Sequence, residues 1–144
     1  MLKHRTATLA DVPLLAAMNR QLAADEGHRN ETRPVEWFEE RLTTFLSGEY
    51  TAVIFEEGEK WVAYALYRDH PEHQDTIYLR QLFVDRSARG RGIARQAIQI
   101  LINQLWPKEK RITVEALIAN EAAISLYKSL GFTEYSVEFE YKRG

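Results

Sequence analysis

The chain of 144 residues contains no cysteine. That absence removes disulfide frameworks, thiolate nucleophiles and zinc–thiolate sites in one step. Long apolar runs are missing too, so no stretch has the roughly 20 apolar residues that a membrane-spanning helix needs. The opening MLKHRTATLAD lacks the apolar core of a signal peptide. The expectation is a cytoplasmic protein without a membrane partner. Charge of one sign is also scarce: the formal net charge is −2, too balanced for the whole chain to bind a polyanion. No repeat, low-complexity tract or linker interrupts residues 1–144, so they read as a single domain. Apolar residues make up 45% of the chain, an ordinary globular value that excludes disorder.

What is present is periodicity of two kinds. Residues 2–7 read as a short strand, and Thr8-Leu9-Ala10-Asp11 has the spacing of a capping box with a short acid in its last position. Leu15, Met18 and Leu22 then share one helical face, widened by Val12 and Leu14. Beyond the polar stretch DEGHRNETR, Pro34 suits a first helical position, and Val35, Phe38, Leu42, Phe45 and Leu46 form a second apolar stripe that Gly48 stops. TAVIF and KWVAYALYR read as a hairpin turning at Glu-Glu-Gly-Glu. His70 and His73 have a spacing that metals sometimes use, but with no third ligand they read as a turn, and no metal site is expected. TIYLRQLFVD reads as one buried strand. From Ile93 the period is helical again until Pro107; ITVEAL is a short strand; Asn120 caps a helix that ends at Gly131-Phe132 in Schellman fashion. The predicted order β-α-α-β-β-β-α-β-α-β is an α/β fold: a mixed, mostly antiparallel sheet with helices on both faces.

The fourth strand feeds the loop Arg89-Gly90-Arg91-Gly92-Ile93-Ala94, which opens a helix. The first-turn amides of a helix have no internal acceptor and carry partial positive charge, and glycine lets an anion approach the backbone. Arg89 and Arg91 add full charges. The Walker pattern is absent, and the dinucleotide fingerprint fails because its third small residue is misplaced. Nucleic-acid contact is disfavoured, since the arginines flank glycines at a strand–helix junction and no wider basic surface is present.

The stretch YLRQLFVDRSARGRGIARQAI resembles the central motif of the GNAT superfamily of N-acetyltransferases, with Arg89, Gly92 and Ala94 in its defining positions. The downstream block Asn120…Tyr127…Gly131-Phe132 resembles a second motif of the same family. The resemblance implies an acetyl-CoA co-substrate whose pyrophosphate rests on the amides of Arg89, Gly90, Arg91, Gly92, Ile93 and Ala94. It implies that main-chain groups of Leu82, Phe83 and Val84 pair with the pantetheine arm, that Asn120 contacts the arm, and that Tyr127 sits near the sulfur as general acid.

Transfer to an amine also needs a base, because an alkylamine with a pKa near ~10.4 costs about 4–5 kcal/mol to deprotonate at neutral pH. Some family members carry a glutamate on the central strand; the comparable side chains here, Arg80 and Gln81, are no bases and count only as candidate acceptor contacts. Glu26, Asp25 and His28, in the loop between the first two helices, are the candidates for the base and the acceptor pocket, with Glu26 preferred. The acceptor is expected to be a small-molecule or peptide amine. The alternative is a non-catalytic acyl-CoA-binding module on the same fold. The last segment alternates strictly, Tyr135, Val137, Phe139 and Tyr141 against Glu134, Ser136, Glu138 and Glu140, and residues 132–143 hold no turn residue. It reads as a sixth strand whose edge a second copy would cover, giving a homodimer.

Overall fold

The computed structural model describes residues 2–144. One mixed sheet contains β1 (Lys3–Thr6), β2 (Thr51–Glu57), β3 (Lys60–Asp69), β4 (Thr76–Val84) and β5 (Arg111–Val114), in that spatial order. The first four strands are antiparallel neighbours, and β5 joins β4 in parallel after a helical crossover. The helices are α1 (Val12–Asp25), α2 (Val35–Ser47), α3 (Ile93–Ile100) and α4 (Glu121–Ser129).

Strand alternation divides the core. On one face Leu15, Met18 and Leu22 of α1 and Leu42 of α2 pack on Ile54, Tyr64, Leu66 and Phe83. On the other, Ile93 and Ala97 of α3, with Leu101 just beyond it, pack on Val53, Phe55, Ala63, Ala65, Ile77 and Leu79. Fully burying one such large side chain contributes about 1.5–3 kcal/mol. The stripes expected for α1 and α2 are therefore their buried faces. One polar residue, Asn19, is buried among the apolar positions of α1.

Register in β4 is not continuous. Leu66 pairs with Gln81, yet its neighbour Tyr67 pairs with Leu79, so Arg80 is the extra residue of a β-bulge. Ile77 and Leu79 before the bulge and Leu82 and Val84 after it all pack on the α3 side. Arg80 and Gln81 consequently project in succession to the opposite side: Arg80 lies over the rings of Phe45 and Tyr50, and Gln81 accepts a hydrogen bond from Tyr64.

The local signals resolve as follows. The Thr8 amide donates to Asp11 Oδ2 at 2.8 Å, and Arg5 grips the same carboxylate with two bonds of 3.0 Å. Pro34 is the cap residue before α2 rather than its first helical residue. His70 Nδ1 accepts from the amides of Glu72 and His73, which makes 70–73 a turn. Beyond α3 the helix widens over Leu101–Leu105 and stops before Pro107, with the Trp106 amide bonded five residues back to Leu101. The Schellman ending forms: the Phe132 amide bonds to the Tyr127 carbonyl and the Gly131 amide to that of Lys128.

The expected sixth strand does not form, so the sheet has five strands among the described residues. Residues 132–144 run outside it, and Tyr135, Val137, Phe139 and Tyr141 are 72, 71, 90 and 86% exposed. Alternation specifies which side chains share a face, but a strand also requires a neighbour to take its backbone hydrogen bonds, and this segment finds none within its own chain.

The Arg5–Asp11–Thr8 junction ties β1 to the entry of α1. The arginine and backbone hydrogen bonds hold the Asp11 carboxyl below its usual range. Its stabilisation is therefore complete above the unfolded value near ~3.9 and is lost as pH falls through the lower folded value. Asp11→Asn should cost about 1 kcal/mol at neutral pH, with the difference between wild type and variant shrinking as pH falls below the unfolded value in denaturant melts; a difference that stays constant throughout acid titration would refute the linkage.

Candidate active site

Parallel pairing joins Thr76–Leu79 of β4 to Arg111–Val114 and goes no further. From Arg80 to Val84 the β5 side of β4 has no strand, so this edge carries main-chain groups without a strand partner, the Val84 carbonyl being taken by Arg89. The Phe83 side chain is buried toward α1.

The strand ends in a built loop. The Ser87 amide donates to Asp85 Oδ2 at 3.1 Å, and Arg89 Nε donates back to the Val84 carbonyl at 3.0 Å. Gly90 and Gly92 have φ of 80° and 74°, a left-handed conformation that other residues rarely adopt. A Cβ at either would meet no atom within 4 Å, so the space over the loop is open. The first helical bond here runs from Gln96 to the Gly92 carbonyl, which leaves the amides of Ile93, Ala94 and Arg95 without intrahelical partners. These residues fit an anionic, amide-bearing cofactor arm: free amides, an uncrowded concavity and an open strand edge lie end to end.

The arginines of this region are held apart. Arg86 donates to Asp25 Oδ1 at 2.6 Å, and Arg89 binds the other oxygen of the same carboxylate. Arg91 pairs with Glu57 at 2.8 Å, and Arg95 donates to Ser129 Oγ. Burial alone would push the Asp25 carboxyl up, but the hydrogen bonds and charges of Arg86 and Arg89 outweigh it and hold the group below its usual range. Asp25 thus lies against the glycine loop.

Its neighbour Glu26 is in a different environment. Burial raises its pKa and the charge of Asp25 adds to the rise, while the Asn120 side chain beside it acts in the opposite direction. Asn120 Oδ1 caps α4 by accepting from the Ala123 amide at 3.2 Å, and its amino group is turned to the Glu26 carboxylate. Burial and the Glu26 charge push the Tyr127 phenol up to about 12, so it stays protonated at neutral pH. α1 and α4 therefore bring Glu26, Asn120 and Tyr127 together. His28 Nδ1 accepts from the Asn30 amide at 3.1 Å, and burial together with Arg41, Arg29 and Arg80 lowers its pKa, so the ring is neutral.

Three residues that the sequence pattern did not single out complete this side. Tyr64, fully buried on β3, donates to Gln81 Oε1 at 2.8 Å, and its pKa is raised by burial. Asn19 lies beside it, with its Oδ1 buried and without a hydrogen-bond partner. Arg41 is half-buried on α2, and its charge reaches Tyr64. Asn19 could have been noticed as a polar residue on an apolar helical stripe; Tyr64 and Arg41 carry no such signal.

The acetyltransferase (GNAT) family model matches residues 15–132. The chain belongs to this family. The L-2,4-diaminobutyric acid acetyltransferase of Halalkalibacterium halodurans is 32% identical over 91 residues, covering 62% of this chain and 48% of that protein. The chain spans about half the length of the curated relatives it matches. The aminoglycoside N-acetyltransferase AAC(6')-Iy in complex with CoA superposes with a TM-score of 0.77 at 17% identity, over 99% of this chain and 95% of the other. A ribosomal-protein-alanine N-acetyltransferase from Brucella melitensis gives 0.75 at 18% identity, covering all of both chains. At these identities the two structures establish the shared fold. No helix among the described residues is long and apolar enough to cross a membrane, and no group of three His, Asp or Glu side chains there could hold a metal ion.

The positive φ and open space at Gly92 generate a direct test of the loop. Gly92→Glu puts a carboxylate over the free amides and should weaken CoA binding at least ~10-fold, more than Gly92→Ala, which adds backbone strain alone. Calorimetry on the two folded variants checks this; equal affinity in Gly92→Glu and wild type would remove the loop from the binding site.

Proposed function

We propose that this protein transfers an acetyl group from acetyl-CoA to a primary amine of a small molecule or peptide, by direct attack of the amine on the thioester. The observation that carries the reading is a convergence. The edge of β4 at Leu82–Val84 runs into the glycine loop ending at Ala94. Asp25, engaged by Arg86 and Arg89 of that loop, is followed directly by Glu26, which has Asn120 and Tyr127 beside it. Family membership and the names of the partial relatives, diaminobutyric acid acetyltransferases, support an amine acceptor. Such a protein works in the cytoplasm, where acetyl-CoA is supplied.

Acetyl-CoA supplies the activated acyl group and a thiolate leaving group. The amides of Gly90, Gly92, Ile93 and Ala94 bind its phosphates, and the main chain of Leu82, Phe83 and Val84 orients its arm. Glu26 removes a proton from the acceptor ammonium; its raised pKa makes it a stronger base than an ordinary glutamate. Tyr127 gives its hydroxyl proton to the sulfur, and the Asn120 side chain contacts the arm. Asp25, engaged by Arg86 and Arg89, serves the phosphate loop more than the acceptor. His28 and Gln81 line the acceptor side. A non-catalytic acyl-CoA binder would need neither a half-buried glutamate of raised pKa nor a phenol at the sulfur.

Two variants separate these roles. The base form of Glu26 exists only above its raised pKa, so the rate should climb with pH through a value above that of a free glutamate, and Glu26→Gln should flatten that limb. Tyr127→Phe should lower kcat by ~10-fold or more with the limb and the acetyl-CoA affinity in place. Thiol release with a panel of amines reads both; an unchanged profile in Glu26→Gln, or unchanged kcat in Tyr127→Phe, overturns the corresponding role.

A homodimer completes the reading. The apolar row Tyr135, Val137, Phe139 and Tyr141 is exposed, and no residue of α4 is buried. A second copy offering the same segment would supply both the apolar cover and the missing backbone partner. Light scattering should give twice the chain mass at micromolar concentration and the single mass for Val137→Glu/Phe139→Glu; a monomeric wild type refutes the dimer.

A further inference from the structure

An acetyl acceptor arrives as a cation, yet the wall beyond Glu26 is lined with guanidinium groups. The bulge turns Arg80 toward α2, where its Cζ lies 5.0 Å from the centre of the Phe45 ring and 5.6 Å from that of Tyr50. Arg41 approaches from α2, with Cζ 5.4 Å from the same Phe45 ring and 5.2 Å from Trp37. Arg80 also donates to the Tyr50 hydroxyl at 3.0 Å. Among the described residues no carboxylate lies within 4.0 Å of either guanidinium, although Arg5, Arg29, Arg86, Arg89 and Arg91 all have one.

Two guanidinium groups sharing one aromatic plate repel each other, and burial adds to the cost for Arg41, whose pKa is lowered by desolvation and then by Arg80. Delocalised charge and ring stacking make arginine tolerable there, and its forked donors match a carboxylate in the plane left free. The pair also lies within reach of the reacting groups: both charges act on His28, and Arg41 acts on Tyr64, which in turn senses Glu26. A polyamine would bring further positive charge against this wall.

We propose that Arg41 and Arg80 bind a carboxylate on the acceptor, so that the substrate is an amine and an acid in one molecule: an amino acid or diamino acid whose amine faces Glu26. This rests on the acetyl-transfer reading and assigns the specificity of the same site.

Matched pairs that differ only in the carboxylate test it: diaminobutyrate against diaminopropane, ornithine against putrescine, lysine against cadaverine. Thiol release should favour at least one acid over its diamine by ~10-fold or more in kcat/KM. Arg80→Met, at an exposed position, and Arg41→Met should each reduce that preference at least ~10-fold, chiefly through KM and with acetyl-CoA affinity retained. Diamines used as well as the acids, or variants that lose both substrates equally, overturn the proposal. A second arm needs no turnover: calorimetric titration of the CoA-loaded protein with N-acetyl-ornithine and N-acetylputrescine. Carboxylate-dependent binding that Arg41→Met abolishes upholds the subsite even if no amine is acetylated, which would sink only the catalytic reading. Turnover of diamines without such binding sinks only the subsite.

Discussion

Parallel pairing between β4 and β5 lasts four residues, and the rest of the site depends on where it stops. Had β5 followed β4 to its end, the amides and carbonyls of Leu82–Val84 would have been satisfied within the sheet and no ligand could join it. Because β5 leaves after Val114, with Tyr78 bonded to Glu115 at 2.7 Å near the point of departure, half of a central strand keeps a free edge. Unpaired backbone groups at the centre of a sheet are costly unless something hydrogen-bonds them. The gap thus has the form that the proposed binding of an extended, amide-bearing chain requires, with the glycine loop at its end.

Two adjacent carboxylates, Asp25 and Glu26, are given opposite properties by what surrounds them. Arg86 and Arg89 hold the first charged. Desolvation favours the neutral form of the second, and the permanent charge of the first reinforces this. Neighbouring groups pushed apart in pKa can serve a fixed electrostatic role and a proton-transfer role without exchanging them. The end of α1 thereby connects the glycine loop to the cluster of Glu26, Asn120 and Tyr127 through one peptide bond.

Local chemistry was legible in the sequence, and long-range assembly was not. The Gly90–Gly92 loop, the Asn120 cap, the Thr8–Asp11 junction and the Gly131 ending each depend on residues a few positions apart, and each forms as its spacing implies. Tyr64, Asn19 and Arg41 come from β3, α1 and α2, so no window of sequence contains their meeting. The bulge was hidden for a different reason: LRQLFV reads as unbroken strand whether or not one residue is extra. The terminal segment failed in the reverse direction, since its pattern is that of a strand while the partner it needs is not in the chain's own sheet.

In a regular strand, deleting one residue turns every following side chain to the other face. The bulge at Arg80 reverses that rule. Removing Arg80 would leave Leu79, Gln81, Leu82, Phe83 and Val84 in simple alternation, with Leu82 and Val84 still toward α3 and Phe83 still toward α1. The strand can therefore gain or lose a single guanidinium by a one-codon insertion or deletion while its hydrophobic contacts keep their sides. Charge on this face of β4 is in this sense a detachable character of the fold, open to change in evolution or by design without repacking the core.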